Sequence, residues 1–379
     1  MISYKQSRKI LKNSKIIIGD EIINSSNCFN RVASEDIFSG TNNPAANNAA
    51  FDGYAIDSKD TGKLNKKRFQ LFKILGIVAA GDKPIKKRKK KFQTIEIMTG
   101  GLLPKGFDTI IPIEQIIFYP SKTNPKFILV NKKIKKHQHV RFKGSDFKKN
   151  DLVIRKGTIL ESNHILALKT LGITNIKVKK IPKILFFSTG NEISNKEKVP
   201  YWKIRNSNSH YIHSLKENFL FNFINGGILR DKDELIFEKK IKKAINSNIS
   251  MIITSGAVSA GKFDFIPSLI KKLKLKSMIK GAKIRPGKPI MFAKFRNNKC
   301  FFGLPGNPIS TVACFRFFIV PLLYVSLSLN GEKPITAKIK NNFSKKKNFT
   351  RFIKGKLTFS KYGIAEFKVL KGQESYKIN

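Results

Sequence analysis

Three apolar runs, each breaking into a loop of small and polar residues, constrain this chain more than any other feature. Residues 184–187 lead into Ser188-Thr189-Gly190-Asn191-Glu192, residues 251–253 into Thr254-Ser255-Gly256-Ala257-Val258-Ser259-Ala260-Gly261, and residues 300–304 into Pro305-Gly306-Asn307-Pro308. Helical patterns lie between and after them, at residues 207–223, 234–247 and 309–320. Strand, loop and helix repeated over residues 181–329 predict a doubly wound parallel sheet, whose ligand sits beyond the carboxyl ends of the strands. Pro308 falls near the first turn of the last helix, whose free amides would face an anion. Any one of these loops reads equally well as a plain strand-to-helix connection. Three in register point to a phosphorylated ligand.

Composition narrows the class. A chain of 379 residues with 41% hydrophobic content holds two to four domains with real cores. The net charge of +49 invites a nucleic-acid reading, yet it comes from 62 Lys against 12 Arg scattered through every segment. Arg is the better reader of bases and phosphate forks. Ile, Asn, Phe and Lys share A/T-rich codons, so the charge reads as compositional drift, and the runs at residues 86–91 and 345–347 as solvated loops. No specific nucleic-acid partner is expected. Cys28, Cys300 and Cys314 are odd in number and lack metal-type spacing, which fits a reducing, cytoplasmic setting. The apolar run at residues 16–18 is too short for a signal-peptide core, and the one at 315–329 is a core helix interrupted by Pro321, so no membrane association is expected.

Taken in order, the chain opens with helical patterns at residues 3–11 and 19–24. Ala49-Ala50-Phe51-Asp52-Gly53-Tyr54-Ala55-Ile56 follows, an apolar run interrupted by an acid and a Gly, where Asp52 could be no more than a turn former. Short strands at residues 69–77, 94–98, 109–112 and 127–131 make a small β domain. A helix at residues 162–171 is closed by Gly172.

Six motifs then carry a resemblance. They are Phe51-Asp52-Gly53-Tyr54-Ala55, Met98-Thr99-Gly100 with Pro104 and Gly106, Ser188 to Glu192, Ser255 to Gly261 with Asp264, Pro286-Gly287-Lys288-Pro289, and Gly303-Leu304-Pro305-Gly306-Asn307-Pro308. In this order they resemble the MoeA family of molybdopterin molybdenumtransferases, which is similar to the E domain of gephyrin. The resemblance runs from about Ile10 to Ser375. It implies a multidomain α/β plus β fold. A helical domain would occupy residues 1–45 and 143–180, an inserted β domain 46–142, the doubly wound, molybdopterin-binding-like α/β domain 181–328, and a C-terminal β domain 329–379. It also implies a homodimer, molybdopterin adenylyltransferase as upstream partner, and a reaction in which adenylylated molybdopterin and molybdate give molybdenum cofactor and AMP with Mg²⁺.

Such chemistry needs amides and cations for two anionic groups and a carboxylate-held Mg²⁺ on the phosphates. By resemblance Glu192 and Asp264 serve the nucleotide and metal region as Mg²⁺ ligands. Thr189, Gly190, Ser255, Gly256, Ser259 and Gly261 wrap phosphate, and Asn208, Asp231, Gly306 and Asn307 complete the pocket. Lys288, with Arg285 before it, supplies a fixed cation for molybdate. Asp52 and Thr99 reach the same cleft from the second subunit. Lys354 stands for the Arg of the last basic motif, and Ser375 for a Ser near molybdate. The plain alternatives are helix N-caps for Glu192 and Asp231, and one more Lys among many for Lys288.

The chain departs from the family pattern in a few places. Asn191 and Asn206 replace two carboxylates, Ala257 a Gly, Ala49 a Ser, and Arg285 a Lys. The C-terminal β domain reads as truncated at Asn379, which predicts unpaired edges on strands at residues 356–359 and 364–369. Two functional readings therefore stand: an active molybdenum insertase, and a relative that binds pterin or nucleotide without turnover. A nucleic-acid-binding protein ranks last.

Overall fold

The computed structural model describes residues 1–85, 90–258, 266–273, 275–295, 297–344 and 348–373. The chain forms two compact units, one of residues 1–35, 155–162 and 175–379, the other of residues 36–154 and 163–174.

The first unit is built on a six-stranded sheet in the order Asn222–Leu229, Lys183–Thr189, Met251–Ser255, Cys300–Leu304, Met291–Lys294 and Lys276–Lys280. The first four strands run parallel. Met291–Lys294 runs antiparallel to both of its neighbours, Cys300–Leu304 and Lys276–Lys280, which corrects the expectation of a wholly parallel sheet. The reason is chain length: only residues 281–290 and 295–299 link these strands, and a parallel return needs a crossover of a dozen residues or more.

Alternation along the strands sends side chains to two cores. Ile184, Phe186, Met251, Ile253 and Phe302 meet Ile212, Phe315 and Phe318 on one face. Phe187, Ile252 and Phe301 meet Phe237, Ile241, Ile266 and Leu269 on the other. Helices thus cover both faces, as the doubly wound reading requires. Each of these buried side chains contributes about 1.5–3 kcal/mol of burial free energy.

Three local expectations change. Residues 19–24 are not helical: Asp20–Asn24 is a strand paired antiparallel with Asn175–Lys179, because a short alternating segment gains more from a sheet partner than from two helical turns. The helix expected over residues 207–223 ends at Ser214, and the strand Asn222–Leu229 follows. Gly226 and Gly227 hide that strand from a pattern search, yet Gly226 is what lets the Phe187 ring lie against the backbone. The helix expected at residues 309–320 is longer. It runs from Pro308 to Ser326 and widens into a π-turn at Phe315–Ile319, just before Pro321 would leave the ladder short of one donor. Most of this helix is buried within the unit.

Toward the C-terminus, Lys338–Ile339, Ala365–Val369 and Gly355–Phe359 form a three-stranded sheet in that order. The edges expected to be open are therefore partly closed. Residues 355–359 and 365–369 pair with each other, and Ala365–Val369 has a neighbour on both sides.

The second unit holds its own six-stranded sheet, in the order Thr109–Pro112, Gly53–Ile56, Gln93–Ile97, Gln70–Val78, Phe127–Val130 and Ile117–Tyr119. Ala55, Ile95, Ile97 and Ile110 fill one of its faces, and Tyr54, Ile56, Phe72 and Ile128 the other. The helix Ser162–Thr170 falls where its pattern and Gly172 put it, with Gly172 at φ +70°.

Candidate functional site: a crevice at the strand ends and a separate cation cavity

Chain order in the first unit's sheet reverses between two strands. From Lys183–Thr189 the chain crosses to Asn222–Leu229 on one side, then returns to Met251–Ser255 on the other. The carboxyl ends of Lys183–Thr189 and Met251–Ser255 thus flank the switch point where doubly wound sheets open a crevice.

The loops there are fastened closely. Gly256 has φ +106°, and a Cβ on it would stand 2.5 Å from both the carbonyl oxygen and Oγ1 of Thr189. A methyl on Gly306 would stand 3.5 Å from Gly256 Cα. Thr189 Oγ1 donates to Ser255 O (3.1 Å). Asn208, on the helix Ser207–Ser214, donates from Nδ2 to Ser255 Oγ (2.7 Å) and to Gly306 O (2.9 Å), so one buried carboxamide joins two strand ends. Thr311 Oγ1 donates to Pro305 O (2.6 Å). Ser255 is fully buried. Its hydroxyl, like the Asn208 amide, shapes the crevice instead of facing into it.

The loop after Lys183–Thr189 is held from the other side. Arg230 Nη1 donates to the carbonyls of Gly190, Asn191 and Ile193 at 2.8, 3.0 and 2.8 Å. Asn191 Nδ2 donates to Asp231 Oδ2 (2.6 Å), and Asp231 N donates back to Asn191 Oδ1 (3.3 Å). A carboxylate at position 191 would repel Asp231, so this departure has a structural partner. Glu192 is exposed, and its carboxylate folds so closely over Gly190 that a Cβ there would lie 2.5 Å from both oxygens. Asn206, the second departure, accepts from Ser188 Oγ (2.6 Å) and donates to Asn195 Oδ1 (2.9 Å).

One expectation fails here. The first amides of the Pro308 helix are not free for an anion, because Asn307 Oδ1 caps Ile309 N (3.1 Å) and Ser310 N (3.3 Å). Asn is among the best N-caps, and it takes the donors itself.

A cavity of about 390 Å³ lies elsewhere in the unit, lined by Ile284, Arg285, Gly287, Lys288, Phe349 and Arg351. Ile284–Arg285 pairs in parallel with Thr350–Arg351, which brings Arg351 level with Arg285. Gly287, at φ +106°, lies over Cys314, whose Sγ donates to Gly287 O (3.6 Å); a Cβ there would meet that sulfur at 2.6 Å. Arg351 Nε is buried without a hydrogen-bond partner. Lys354, chosen from sequence, does not line this cavity: its Nζ donates to Gly372 O (3.0 Å). Arg351 and Arg230 are the residues that sequence reasoning missed. Each is one of only 12 Arg in a Lys-rich chain, a signal that was present.

In the second unit, Asp52 Oδ1 accepts from both Thr99 N and Thr99 Oγ1, each at 2.6 Å. The Thr99 hydroxyl and then its amide hold this carboxyl below the ordinary carboxylate range, although both residues are exposed. Ser259, Gly261, Asp264 and Ser375, and the basic runs at residues 86–89 and 345–347, lie outside the described residues. Among the described residues, no group of three or more His, Cys, Asp or Glu side chains is arranged to hold a metal ion.

A doubly wound α/β domain with glycine loops at its switch point and a separate cavity lined by Arg285, Lys288 and Arg351 belongs to the class of α/β proteins that bind a ligand at the carboxyl ends of their strands. Family models agree with that class and narrow it: residues 2–172 match the MoeA N-terminal region (domain I and II), and residues 186–324 match a probable molybdopterin binding domain. The molybdopterin molybdenumtransferase of Staphylococcus epidermidis is 30% identical over 367 residues, covering 96% of this chain and 85% of that protein. The Staphylococcus aureus protein of the same name is 30% identical over 341 residues, covering 88% and 78%. A crystal structure of the molybdopterin biosynthesis MoeA protein from Pyrococcus horikoshii superposes with a TM-score of 0.82 at 26% identity, covering 99% of this chain and 91% of that one. The chain belongs to the molybdopterin molybdenumtransferase family, and its activity is that of a transferase in molybdenum cofactor biosynthesis.

Proposed function

We propose that this enzyme takes adenylylated molybdopterin and molybdate as substrates, loads the metal onto the dithiolene and releases AMP. The observation that carries the reading is the pairing of two unlike sites in one unit. A crevice left with backbone and glycine surface, its hydroxyls and carboxamide already committed to one another, suits a phosphate chain that must be approached by backbone. The cavity with Arg285, Lys288 and Arg351 suits a small oxyanion. Its stiff loop and the buried, unpartnered Arg351 Nε fit an anion better than a solvated surface.

Mg²⁺ suits this donor set because it usually keeps several waters and binds through one or two carboxylates and substrate phosphates. Glu192, exposed at the crevice rim, would hold it together with the phosphates, and Asp264 is the second carboxylate of the reading. When bound, the ion would neutralise charge developing on the phosphoanhydride. The chain's own work is to fix the crevice through Asn208, Thr189 and Arg230, and to keep Asp231 oriented through Asn191. Asp52, fastened by Thr99, is offered to the cleft of a second subunit in a homodimer. The three buried cysteine thiols, none in a disulfide, fit a reducing, cytoplasmic setting, and molybdopterin adenylyltransferase is the upstream partner in this reading.

Incubation with adenylylated molybdopterin, molybdate and Mg²⁺, with AMP measured by chromatography, tests the reading. AMP formation that depends on molybdate supports it. Tight nucleotide binding without AMP release would favour the alternative, a relative that binds without turnover.

A further inference from the structure

We propose that Tyr201 and Trp202 form an aromatic platform for the planar ring of the ligand whose phosphates lie in the crevice, the ligand class being a phosphorylated nitrogen heterocycle. This rests on the reading of the crevice given above. The loop that carries the pair leaves the crevice at Glu192 and re-enters it at Asn206. Its base is closed: Ile204 N donates to Glu192 O (2.9 Å), Asn206 N donates to Ser194 O (3.0 Å), and Ile193–Ser194 lies alongside Ile204–Arg205. Arg205 Nη2 ties its side to Glu197 O (3.2 Å). Lys203 N donates to Pro200 O (2.9 Å), which sets Tyr201 and Trp202 at the two corners of a tight turn.

Tyr201 is 96% exposed and Trp202 65% exposed, on a loop otherwise made mainly of Asn, Lys, Glu and Ser. The rings meet edge to face, with centroids 5.1 Å apart at 89°, so each limits the rotation of the other. Trp202 stands two residues from Ile204, about 7 Å of chain, and the Ile204 amide rests on Glu192 itself. Among the described residues, the crevice walls Thr189, Gly190, Gly256 and Gly306 leave amide and bare backbone and carry no flat apolar face. A heterocycle attached to the phosphates must find its stacking surface outside them, and the aromatic pair on the same fastened loop supplies one.

Two ring systems share this chemistry, the adenine of a nucleotide and a pterin, and the experiment separates them. Trp202 is the single tryptophan of the chain, so its fluorescence reports on the platform alone. The full chain is titrated with AMP, with ribose 5-phosphate and with free pterin, and affinities are measured in parallel by calorimetry. For adenine we expect AMP to quench Trp202 and ribose 5-phosphate not to. Trp202→Ala should then weaken AMP binding about tenfold, as loss of one base-aromatic stack does, while Trp202→Phe recovers most of it. The ribose 5-phosphate affinity should not change. Quenching and loss of affinity confined to pterin would assign the platform to that ring and equally support it. If AMP or pterin binds the wild type with neither a fluorescence change nor a loss of affinity in Trp202→Ala, the platform is overturned while the crevice stands. If the wild type binds none of the three, the crevice reading falls and takes the platform with it.

Discussion

The crevice and the cation cavity hold their residues in opposite ways. In the crevice the polar side chains are already committed to one another. Asn208 joins Ser255 to Gly306, Thr189 reaches Ser255, and Arg230 gathers three carbonyls, so little but backbone and glycine surface is left for a ligand. In the cavity the backbone does the fastening, through the pairing of Ile284–Arg285 with Thr350–Arg351 and the seat of Gly287 on Cys314, and Arg351 Nε is left buried without a hydrogen-bond partner. The first arrangement should fail as structure when a fastener is removed. The second should fail as binding.

The sharpest way to break this contrast is Gly256→Val. A side chain at φ +106° that overlaps Thr189 should cost about 3 kcal/mol in urea unfolding and abolish nucleotide binding. Unchanged stability would mean that the three loops are not packed as described. Asn208→Ala comes next, since it leaves the buried Ser255 hydroxyl and the Gly306 carbonyl without their donor; a loss of about 2 kcal/mol is expected, again by denaturation.

Arg351→Ala tests the other side. The melting temperature should barely move, while the molybdate concentration needed for half-maximal AMP release rises about tenfold or more, the worth of one charge-assisted hydrogen bond. A matching rise in Lys354→Ala, with Arg351→Ala silent, would return the role to the residue chosen from sequence.

Asn191→Asp sharpens the crevice rim at smaller cost. Two carboxylates would face each other where Asn191 now donates to Asp231, which raises the pKa of one of them above its unfolded value. The variant should therefore be slightly less stable than wild type at neutral pH, by about 0.5 kcal/mol, and should recover as pH falls through the raised value. A pH series of thermal melts reads this directly. The smallest effect belongs to the second unit. Asp52 is held below the ordinary carboxylate range by Thr99, so what this contact contributes is present above that range and fades as pH falls through the lowered folded value. In Thr99→Val the Asp52 carboxyl should titrate closer to the ordinary range, as a carboxyl-resolved NMR titration would show.

Much of this molecule was legible in the residues because local rules act locally. Apolar alternation put the strands 93–97, 109–112, 127–130 and 300–304 within a residue or so of where they fold, and Gly172 closed its helix as expected. Glycine carried the most information. Gly190, Gly256 and Gly287 stand where side chains or backbone approach too closely for a Cβ, and each lies in a motif that the sequence alone had singled out.

The sequence by itself thus determined the α/β character, the three strand-end loops and the family. Tertiary structure decided everything that depends on which partner a group finds. Asp20–Asn24 became a strand because Asn175–Lys179, some 150 residues away in the chain, supplied its hydrogen bonds. Asn307 became a cap instead of an open anion site because its own side chain reached the helix amides first. Arg351 came to line the cavity, and Lys354 did not, because a two-residue parallel pairing with Ile284–Arg285 set the register of that segment. A motif names the residues that can meet; whether they do depends on chain lengths and register, which only the folded backbone resolves.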